Sequence, residues 1–596
     1  MPNIGQSKKV KFGIIGTGGK HGSRLIKYLA SVGEIVWTCN TNDQDPYSEQ
    51  IEWVVISSPN LYHYEYAQQF LNAKVNVFLE KPATLSSASL LDLIDLAKKN
   101  KVHLYIDDVF LFRTDILFSK QLESGTHIIW NKTDIQTGSL LDRLTYHHLC
   151  LLSRYGHGDE NIKNIAVHKS QPSVIEFSFD YCKATIHAKY QVGALRDENI
   201  FLGSPIASTK GEAIPLMLTH VFSGAADFVQ NNALALWVTR QLEQLKKQLQ
   251  PRVAVAGAGL FGCTAALELS AAGYQVDLYE RHDDIIQEAS AINQYRVHRG
   301  YHYPRSDDTV NECLNALPIF MKSYGLAVMR DEVKESFYAI ASKNSKVSAT
   351  EYLNFLNRHQ LEYEIVENLP NTDLTVRVRE DLFDPQKIKS MIKTRLFGSG
   401  VVVKCGVEVT AELLAGYDNA VVATYSGQNK FAVTPAVYQF ELVEKPIFQL
   451  ANEYRGRSVV ILDGPFLCID PYSDTPYHVM GNVVHAIHHT NTGYVPEIPP
   501  GYESVLNKGV IKNPPMSKIK EFLRAAKDFF PGIETAVHIG SMFTIRTVLP
   551  YRDEDDARPT VVDWLGPRTV GIFAGKICHS VAAAREAKAM LDEGRL

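Results

Sequence analysis

Two stretches of the chain change from an apolar strand pattern to glycines and then to an apolar helical pattern. The first is VKFGIIGTGGKHGS at 10–23, and the second is RVAVAGAGLFGC at 252–263. A strand, a glycine turn and a helix in this order direct backbone N–H groups and a helix N-terminus at a pyrophosphate. The pattern therefore predicts two dinucleotide-binding units in one chain.

Alternation of strand and helix patterns continues through the first half. Apolar strand patterns follow at 34–40, 53–59, 75–80 and 102–107, with helical periodicity at 23–32, 64–73 and 86–99. This order predicts a doubly wound parallel sheet. A further helical pattern at 233–250 stops at Pro251, directly before the second unit.

The predicted fold class is α/β, with two tandem Rossmann-type units that each carry an added α+β substrate or cap domain. The predicted domains are 1–120, an abbreviated α+β domain at 121–250, with strands at about 164–190 and little more, and a second module at 251–596. In that module the nucleotide-binding parts are placed at about 251–310, 380–430 and 540–596, with the substrate domain between them. Because no Gly/Ser/Pro-rich linker separates the halves, we expect them to be docked.

Composition narrows the choice of partners. A net charge of −5 gives no reason to expect nucleic acid, and no apolar run approaches the roughly 18 residues of a membrane span. The N-terminal apolar stretch is too short for a signal peptide. The eight cysteines are scattered without a CxxC pair, which favours reduced thiols and no metal site. We expect a cytoplasmic protein that acts on a small molecule.

The first glycine turn departs from the standard spacing. Gly16, Gly18 and Gly19 are the candidates to face a pyrophosphate, but the third small position falls on Lys20 and His21, and Gly22 comes one step late. No carboxylate ends the strand at 34–40, although Asp43 is near. A glycine turn without a nucleotide stays open as an alternative.

Two further motifs lie at strand ends in this half, SPNLYH at 58–63 and EKP at 80–82. With them, most of residues 8–250 resembles the Gfo/Idh/MocA family of NAD(P)-dependent oxidoreductases. The resemblance implies NAD or NADP as cofactor, a frequently cis bond before Pro82 and frequent oligomers. It implies cofactor-side and catalytic residues as follows: Ser58, Asn60, His63 and Glu80 beside the cofactor, Lys81 between nicotinamide and substrate, and His147 (or its neighbour His148) as acid/base.

The second glycine turn is complete, with Gly257, Gly259 and Gly262 in the standard spacing. Glu280 ends the next strand pattern, where a carboxylate can accept both ribose hydroxyls of an ADP moiety, and Arg281 follows it. These features predict a bound dinucleotide.

Five later stretches, 289–306, 382–388, 417–427, 545–566 and 570–591, make this half resemble FAD-dependent oxidoreductases of the D-amino-acid-oxidase and 2-hydroxyglutarate-oxidase type. The resemblance implies FAD, held also by a turn and helix N-terminus that contain Gly575, Lys576, His579 and Ser580. It implies Arg546, with Arg558 nearby, as the anchor of a substrate carboxylate. His298, near His302, Tyr301 and Tyr303, is the candidate acid/base, and a structural role for these rings stays open.

The leading hypothesis is a bifunctional oxidoreductase. An NAD(P)-dependent sugar-type dehydrogenase would be fused to an FAD-dependent module that oxidises a CH–OH or CH–NH group, in successive steps on one metabolite. The alternative is an FAD-dependent enzyme whose first half is a degenerate binding scaffold. A non-catalytic nucleotide sensor is the third reading. The sequence leaves open which sugar derivative, hydroxy acid or amino acid is the substrate, NAD against NADP, the flavin's electron acceptor and whether the chain forms a homo-oligomer.

Overall fold

The computed structural model describes residues 9–18, 20–40, 50–113, 126–134, 140–153, 160–171, 173–192, 197–201, 213–330, 332–464, 467–552 and 554–593. Of the predicted features, Gly19 and the segment 41–49 with Asp43 lie outside these ranges. No helix in the described ranges is both long enough and apolar enough to cross a membrane.

The first unit is built on a five-stranded parallel sheet in the order β2-β1-β3-β4-β5. Its strands are β1 (Val10–Ile15), β2 (Gly33–Cys39), β3 (Trp53–Ile56), β4 (Asn76–Leu79) and β5 (Leu104–Ile106), and its helices are α1 (Lys20–Val32), α2 (His63–Asn72) and α3 (Ser87–Asn100), with 3-10 turns at Asn60–Tyr62 and Val109–Phe112. Val54, Val55 and Ile56 are all fully buried. Burial of successive residues is expected when helices cover both faces of a parallel sheet.

A second five-stranded sheet follows, in the order β10-β6-β9-β8-β7. The elements are β6 (Thr126–Asp134), a π-helical turn (Leu141–Thr145), α4 (Tyr146–Leu152), β7 (Lys163–Gln171), β8 (Val174–Tyr181), β9 (Ala184–Val192), β10 (Asp197–Phe201), α5 (Ala213–Phe222) and α6 (Phe228–Leu249). The sequence pattern predicted little beyond the strands at 164–190. The structure adds β6 and β10, because β6 pairs in parallel with β9 from a distant part of the chain.

The second nucleotide-binding sheet has six strands in the order β18-β12-β11-β19-β27-β26, and only β26 is antiparallel. Its strands are β11 (Arg252–Ala256), β12 (Gln275–Tyr279), β18 (Val402–Lys404), β19 (Asn419–Val422), β26 (Val561–Gly566) and β27 (Thr569–Phe573), and the helices around it are α7 (Leu260–Ala271), α8 (Asp307–Tyr324), α10 (Pro385–Ser399), α11 (Ala411–Ala415) and α13 (Ser580–Glu593). The carboxyl ends of β11, β12, β19 and β27 therefore meet at one edge, where α/β proteins bind ligands.

A nine-stranded mixed sheet lies beside this unit. It contains β14 (Glu335–Ala341), β15 (Tyr363–Ile365), β16 (Thr372–Val378), β20 (Tyr438–Gln449), β21 (Arg457–Leu462), β22 (Leu467–Pro471), β23 (His478–Asn482), β24 (Ile487–Gly493) and β25 (Val537–Val548); α9 (Ala349–Arg358), α12 (Ile519–Ala526) and a small pair, β13 (Arg296–Val297) with β17 (Asp381–Leu382), complete the half. The predicted α/β fold class with two Rossmann-type units is confirmed.

A buried arginine joins the two halves. Arg395 of α10 donates to the carboxylate of Glu65 on α2 at 2.7 Å and to the carbonyl oxygen of Ser323 at 2.6 Å. Its guanidinium also lies over the Tyr62 ring, 4.7 Å from the centroid, and the residue is only 3% exposed. The first half therefore contacts the second through a charge pair that is removed from water.

We expect Glu65→Leu to destabilise the protein, because it leaves the Arg395 charge buried without its carboxylate. Removing one partner of a buried pair costs about 3 kcal/mol or more, which for a domain of this size lowers the midpoint of thermal unfolding by about 5 °C. Differential scanning calorimetry measures the shift. Gln69→Leu, at an exposed position of the same helix, is the control, and an equal shift in both variants would contradict the assignment.

Candidate functional site

A cavity of about 680 Å³ opens at the carboxyl edge of the second nucleotide-binding sheet. It brings together most of the residues that the sequence singled out in this half: Gly257, Gly259, Glu280, Arg281, His298, Arg546, Gly575 and Lys576. Gly262, His579 and Ser580 lie outside the cavity lining. His579 and Ser580 are buried, at the turn into α13.

The turn after β11 is shaped for close approach. A Cβ atom on Gly262 would collide with the carbonyl oxygen of Gly257, so only glycine allows α7 to come this near to the strand. The Glu280 carboxylate accepts hydrogen bonds from the backbone N–H of Ala258 at 2.8 Å and of His282 at 3.0 Å. It is thereby fixed beside the glycines, where an adenosine ribose would lie.

The cavity wall contains polar atoms that suit a bound dinucleotide. Thr424 lines the cavity after β19, and its buried hydroxyl oxygen has no hydrogen-bond partner within the described ranges. A buried polar atom in this state is usually satisfied by a ligand or water. Arg281 lines the same wall and donates from Nε to Glu288 at 2.9 Å. The residues present therefore fit FAD.

Two lysines extend into the cavity without a carboxylate partner. No acidic side chain in the described ranges forms an ion pair with Lys445 of β20 or with Lys576. The Lys445 ammonium donates to the Gln294 side-chain oxygen at 2.7 Å, and the Lys576 ammonium lies 4.1 Å from the centre of the Tyr303 ring. Burial, with the charge of Arg546, lowers the pKa of Lys445 to about 8, and burial, with that of Arg558, lowers the pKa of Lys576 to about 8. The cavity thus has a positive charge that its own residues leave uncompensated.

Arg546, by contrast, is already paired. It lies on β25 and donates through Nε to the carboxylate of Glu441 on the neighbouring strand β20. Arg558 likewise pairs with Asp556. The sequence analysis did not identify Lys445. Its positive charge is nevertheless less compensated than those of Arg546 and Arg558, each of which has a carboxylate partner.

A buried charge network lies behind His298. The His298 Nδ1 atom is 3.7 Å from the carboxylate of Glu380, and Arg296 pairs with Asp470 at 2.5 Å and with Glu380 at 3.4 Å. Burial alone would raise the pKa of Glu380, but His298 and Arg296 lower it to about 2. Burial, together with His298 and Arg296, lowers the pKa of His302 well below its usual value. In the cavity, the His302 ring is therefore neutral, whereas the His298 ring faces the carboxylate of Glu380.

In the first half, Gly22 takes the place of the third glycine. A Cβ atom on Gly22 would collide with the carbonyl oxygen of Gly16, the same contact that Gly262 makes possible in the second unit. The side chain that ends β2 is Asn40, whose Oδ1 accepts from the Gly18 N–H at 3.0 Å and from the Thr17 hydroxyl at 2.9 Å. A neutral amide thus occupies the position that Glu280 occupies in the second unit.

His63 connects the two motif turns. Its ring contacts the carbonyl oxygen of Pro82 through Nδ1 at 2.9 Å and that of Ser58 through Nε2 at 2.8 Å. The residue is fully buried, and burial lowers its pKa, so a neutral ring donates to one carbonyl. The bond between Lys81 and Pro82 is cis, as the resemblance implied. Asn60 begins the 3-10 turn between Ser58 and His63.

The start of α4 lies within electrostatic range of the EKP motif. Burial raises the pKa values of Tyr146 and Cys150, with the Glu80 charge adding to the first shift and the Lys81 charge opposing the second. The charges of the motif therefore act on the helix that carries His147. His147 stacks on Phe110, with ring centroids 4.0 Å apart.

The neighbouring His148 ring contacts strand β9 of the second sheet. It is fully buried, and its Nδ1 contacts the Tyr190 hydroxyl of β9 at 2.8 Å. Sequence reasoning also missed a carboxyl group in this region, Asp108. Burial, with the charge of Asp107, raises the pKa of Asp108 to about 6. Its position two residues after the end of β5, at the carboxyl edge of the sheet, was the available signal.

Family comparisons agree with both halves. Residues 34–107 match the model of an oxidoreductase family with an NAD-binding Rossmann fold, Gfo/Idh/MocA. Residues 252–561, more than half of the chain, match the model of FAD dependent oxidoreductases of the D-amino-acid-oxidase type. Both resemblances found in the sequence are confirmed, and with them the oxidoreductase class and the cofactors NAD and FAD of the two families.

Individual relatives each match a part of the chain. The chain is 42% identical over 83 residues to the FAD-dependent monooxygenase kojA of Aspergillus flavus, a match that covers 14% of this chain and 19% of that protein. The chain thus spans about a fifth of the length of the first curated relatives it matches. Among solved structures, glycine oxidase of Geobacillus kaustophilus has 14% identity, covering 58% of this chain and 95% of its own (TM-score 0.42). The WlbA dehydrogenase of Thermus thermophilus, in complex with NAD and UDP-GlcNAcA, has 15% identity. That match covers 39% of this chain and 94% of the WlbA chain (TM-score 0.34).

Proposed function

We propose, since this chain belongs to the FAD-dependent oxidoreductase family, that its second half oxidises a CH–OH or CH–NH group of a small carboxylic acid. The observation that carries the proposal is a pair of cavity-lining lysines, the buried Lys445 and the partly exposed Lys576, that lack a carboxylate partner within the described ranges. An uncompensated buried charge is costly. An anionic substrate, together with the charge that develops on a reduced cofactor, would supply the missing counter-charge.

The roles of the residues follow from where they lie. FAD, when bound, supplies the two-electron oxidation of the substrate carbon. Lys445, held by Gln294, binds the substrate carboxylate; Arg546, the earlier candidate anchor, lies on the adjacent strand and raises the local positive potential. Lys576 places a positive charge beside the Gly575 turn. His298 and His302 are the rings that can accept the proton of the substrate hydroxyl or amine.

Anaerobic mixing with candidate substrates tests this proposal. A panel of 2-hydroxy and 2-amino acids is compared with the corresponding amides while the visible flavin absorbance is followed. We expect at least one acid to bleach the absorbance much faster than its amide. Bleaching by amides as fast as by acids would contradict the role of the lysines.

The pH dependence should report the same charges. Because both lysines have pKa values of about 8, they are protonated below that pH and bind an anion there. We expect kcat/KM for the acid substrate to fall about tenfold per pH unit or more above pH 8, since this parameter follows the free enzyme. The amide substrate is the control, and equal pH profiles for the two would contradict the assignment.

We further propose that the first half is an NAD(P)-dependent dehydrogenase of the sugar type that acts on the same metabolite, a polyhydroxylated acid, before or after the flavin half. The support is the position of the EKP motif at the carboxyl end of β4, with the start of α4 within range of the Glu80 and Lys81 charges. Lys81 would hold the substrate oxygen and His147 would move the hydroxyl proton, with Ser58, Asn60, Glu80 and the Gly16 turn, Gly19 included, beside the cofactor. NAD(P), when bound, supplies the hydride acceptor.

One observation favours a flavoenzyme whose first half is only a scaffold. Asn40 stands where Glu280 stands in the second unit, so a ribose-binding carboxylate is replaced by a neutral amide. Fluorescence titration of the full chain with NADH and NADPH separates the two functions. If the Lys81→Ala variant still binds the nucleotide but no longer turns over substrate, the dehydrogenase function is supported. Failure of both nucleotides to bind supports the scaffold.

A further inference from the structure

A second cluster of reactive side chains lies behind the cavity wall. Cys313 projects from the middle of α8, and Cys578 and His579 form the turn that leads into α13. The two sulfur atoms and a ring nitrogen of His579 all lie within 4.8 Å of one another, and the three residues are buried. Two thiols and an imidazole converging away from solvent form the donor set of a soft or borderline metal ion.

The His579 ring is oriented as a metal ligand would be. Its Nδ1 lies 2.8 Å from the Thr560 hydroxyl and 3.7 Å from the Glu312 carboxylate. Its Nε2 is buried and has no hydrogen-bond partner within the described ranges. Partners on one ring nitrogen fix the tautomer and leave the other nitrogen for a metal. A buried Nε2 on a ring that brings one of its nitrogens within 4.8 Å of two thiols is a second sign of a missing ligand.

The geometry points to a Zn²⁺ site formed by Cys313, Cys578 and His579. Ligand atoms on one tetrahedral zinc lie about 3.7 Å apart, as follows from zinc–sulfur bonds of about 2.3 Å. The three ligand atoms therefore need to move by only about 1 Å to coordinate one zinc ion. On binding, the two thiols release two protons, and the two thiolates neutralise the Zn²⁺ charge. Mg²⁺ and Ca²⁺ are excluded as occupants because they require oxygen ligands.

The site would fasten two elements of the cavity wall. Cys578 also lies 3.8 Å from the carbonyl oxygen of His298, and the preceding residues Lys576 and Ile577 line the cavity. A metal held by α8 and by this turn would fix the turn's position. The Glu312 carboxylate, next to Cys313 on α8, lies on the Nδ1 side of the His579 ring and would help to orient it.

Metal analysis of the full chain, purified with FAD and without reductant or affinity metal, tests the site. We expect about one zinc per chain by mass spectrometry and at least a tenfold loss in Cys313→Ser. Cys468→Ser, which removes a thiol from the same cavity wall, should keep its zinc. FAD released from each variant is measured in parallel, so that failure of the flavin proposal and failure of the zinc site are distinguished.

X-ray absorption at the zinc edge of the unaltered protein gives a readout that does not depend on a variant's folding, with two sulfur ligands and one nitrogen ligand expected. The proposal is overturned by a protein that lacks zinc and takes up none when Zn²⁺ is added. It is equally overturned if Cys313→Ser retains all its zinc, or if a disulfide joins Cys313 to Cys578.

Discussion

A Gly262→Ala variant is expected to bind FAD about a hundredfold more weakly than the unaltered protein. The added methyl group collides with the carbonyl oxygen of Gly257, so that α7 must move away from the turn that faces the pyrophosphate. Overpacking of this kind costs about 1–3 kcal/mol, and the upper value corresponds to about two orders of magnitude in Kd. Equilibrium titration of the flavin-depleted protein with FAD measures the change.

Gly325→Ala is the matched control. The atom nearest to a Cβ at that position is the Met321 methyl at 3.9 Å, so the change introduces no collision. We expect this variant to bind FAD normally. Circular dichroism of both variants separates a local defect from a loss of fold. A folded Gly262→Ala protein with normal FAD affinity would show that the turn does not hold the cofactor.

A Lys445→Met variant is expected to lose about a hundredfold in kcat/KM for an acidic substrate. The substitution keeps the bulk of the side chain and removes a buried ammonium that has no acidic partner in the described ranges. Truncating one member of a buried charge pair typically costs about 2–5 kcal/mol, and a loss of about 3 kcal/mol corresponds to this factor. Steady-state kinetics with the acid and with its amide measure the loss.

Lys430→Met is the control for general charge effects. Lys430 also lines the cavity, but it pairs with Glu408 at 3.0 Å and its side chain is 56% exposed. We expect a change of less than about threefold, since exposed ion pairs contribute little. An equal loss for acid and amide in Lys445→Met would indicate a defect of packing in place of a lost ion pair.

The sequence predicted the parts of the fold that depend on local pattern. The strands and helices of the first nucleotide-binding sheet follow from apolar periodicity and glycines, and their predicted ends lie within about three residues of those observed. The second sheet of the first half was incomplete in the prediction. Its strands β6 and β9 are neighbours through a long-range parallel pairing, which local periodicity does not encode.

The candidate sites show the same limit. Gly257 and Glu280 were identified because their spacing is constrained by one ligand-binding turn. Lys445 was missed because its neighbours Glu441 and Arg546 meet only when β20 pairs with β25. Two charged residues four positions apart on one face of the strand, Glu441 and Lys445, were the available signal. Asn40 was missed because a neutral amide gives no charge signal at the end of a strand.

Identification of the released flavin tests the central claim most directly. The full chain is purified with added FAD and freed of unbound cofactor, and the flavin released by denaturation is identified and counted against protein. The account predicts FAD, at about one molecule per chain, for a dinucleotide held by the Gly257 turn and Glu280. A folded protein that releases no FAD would contradict it.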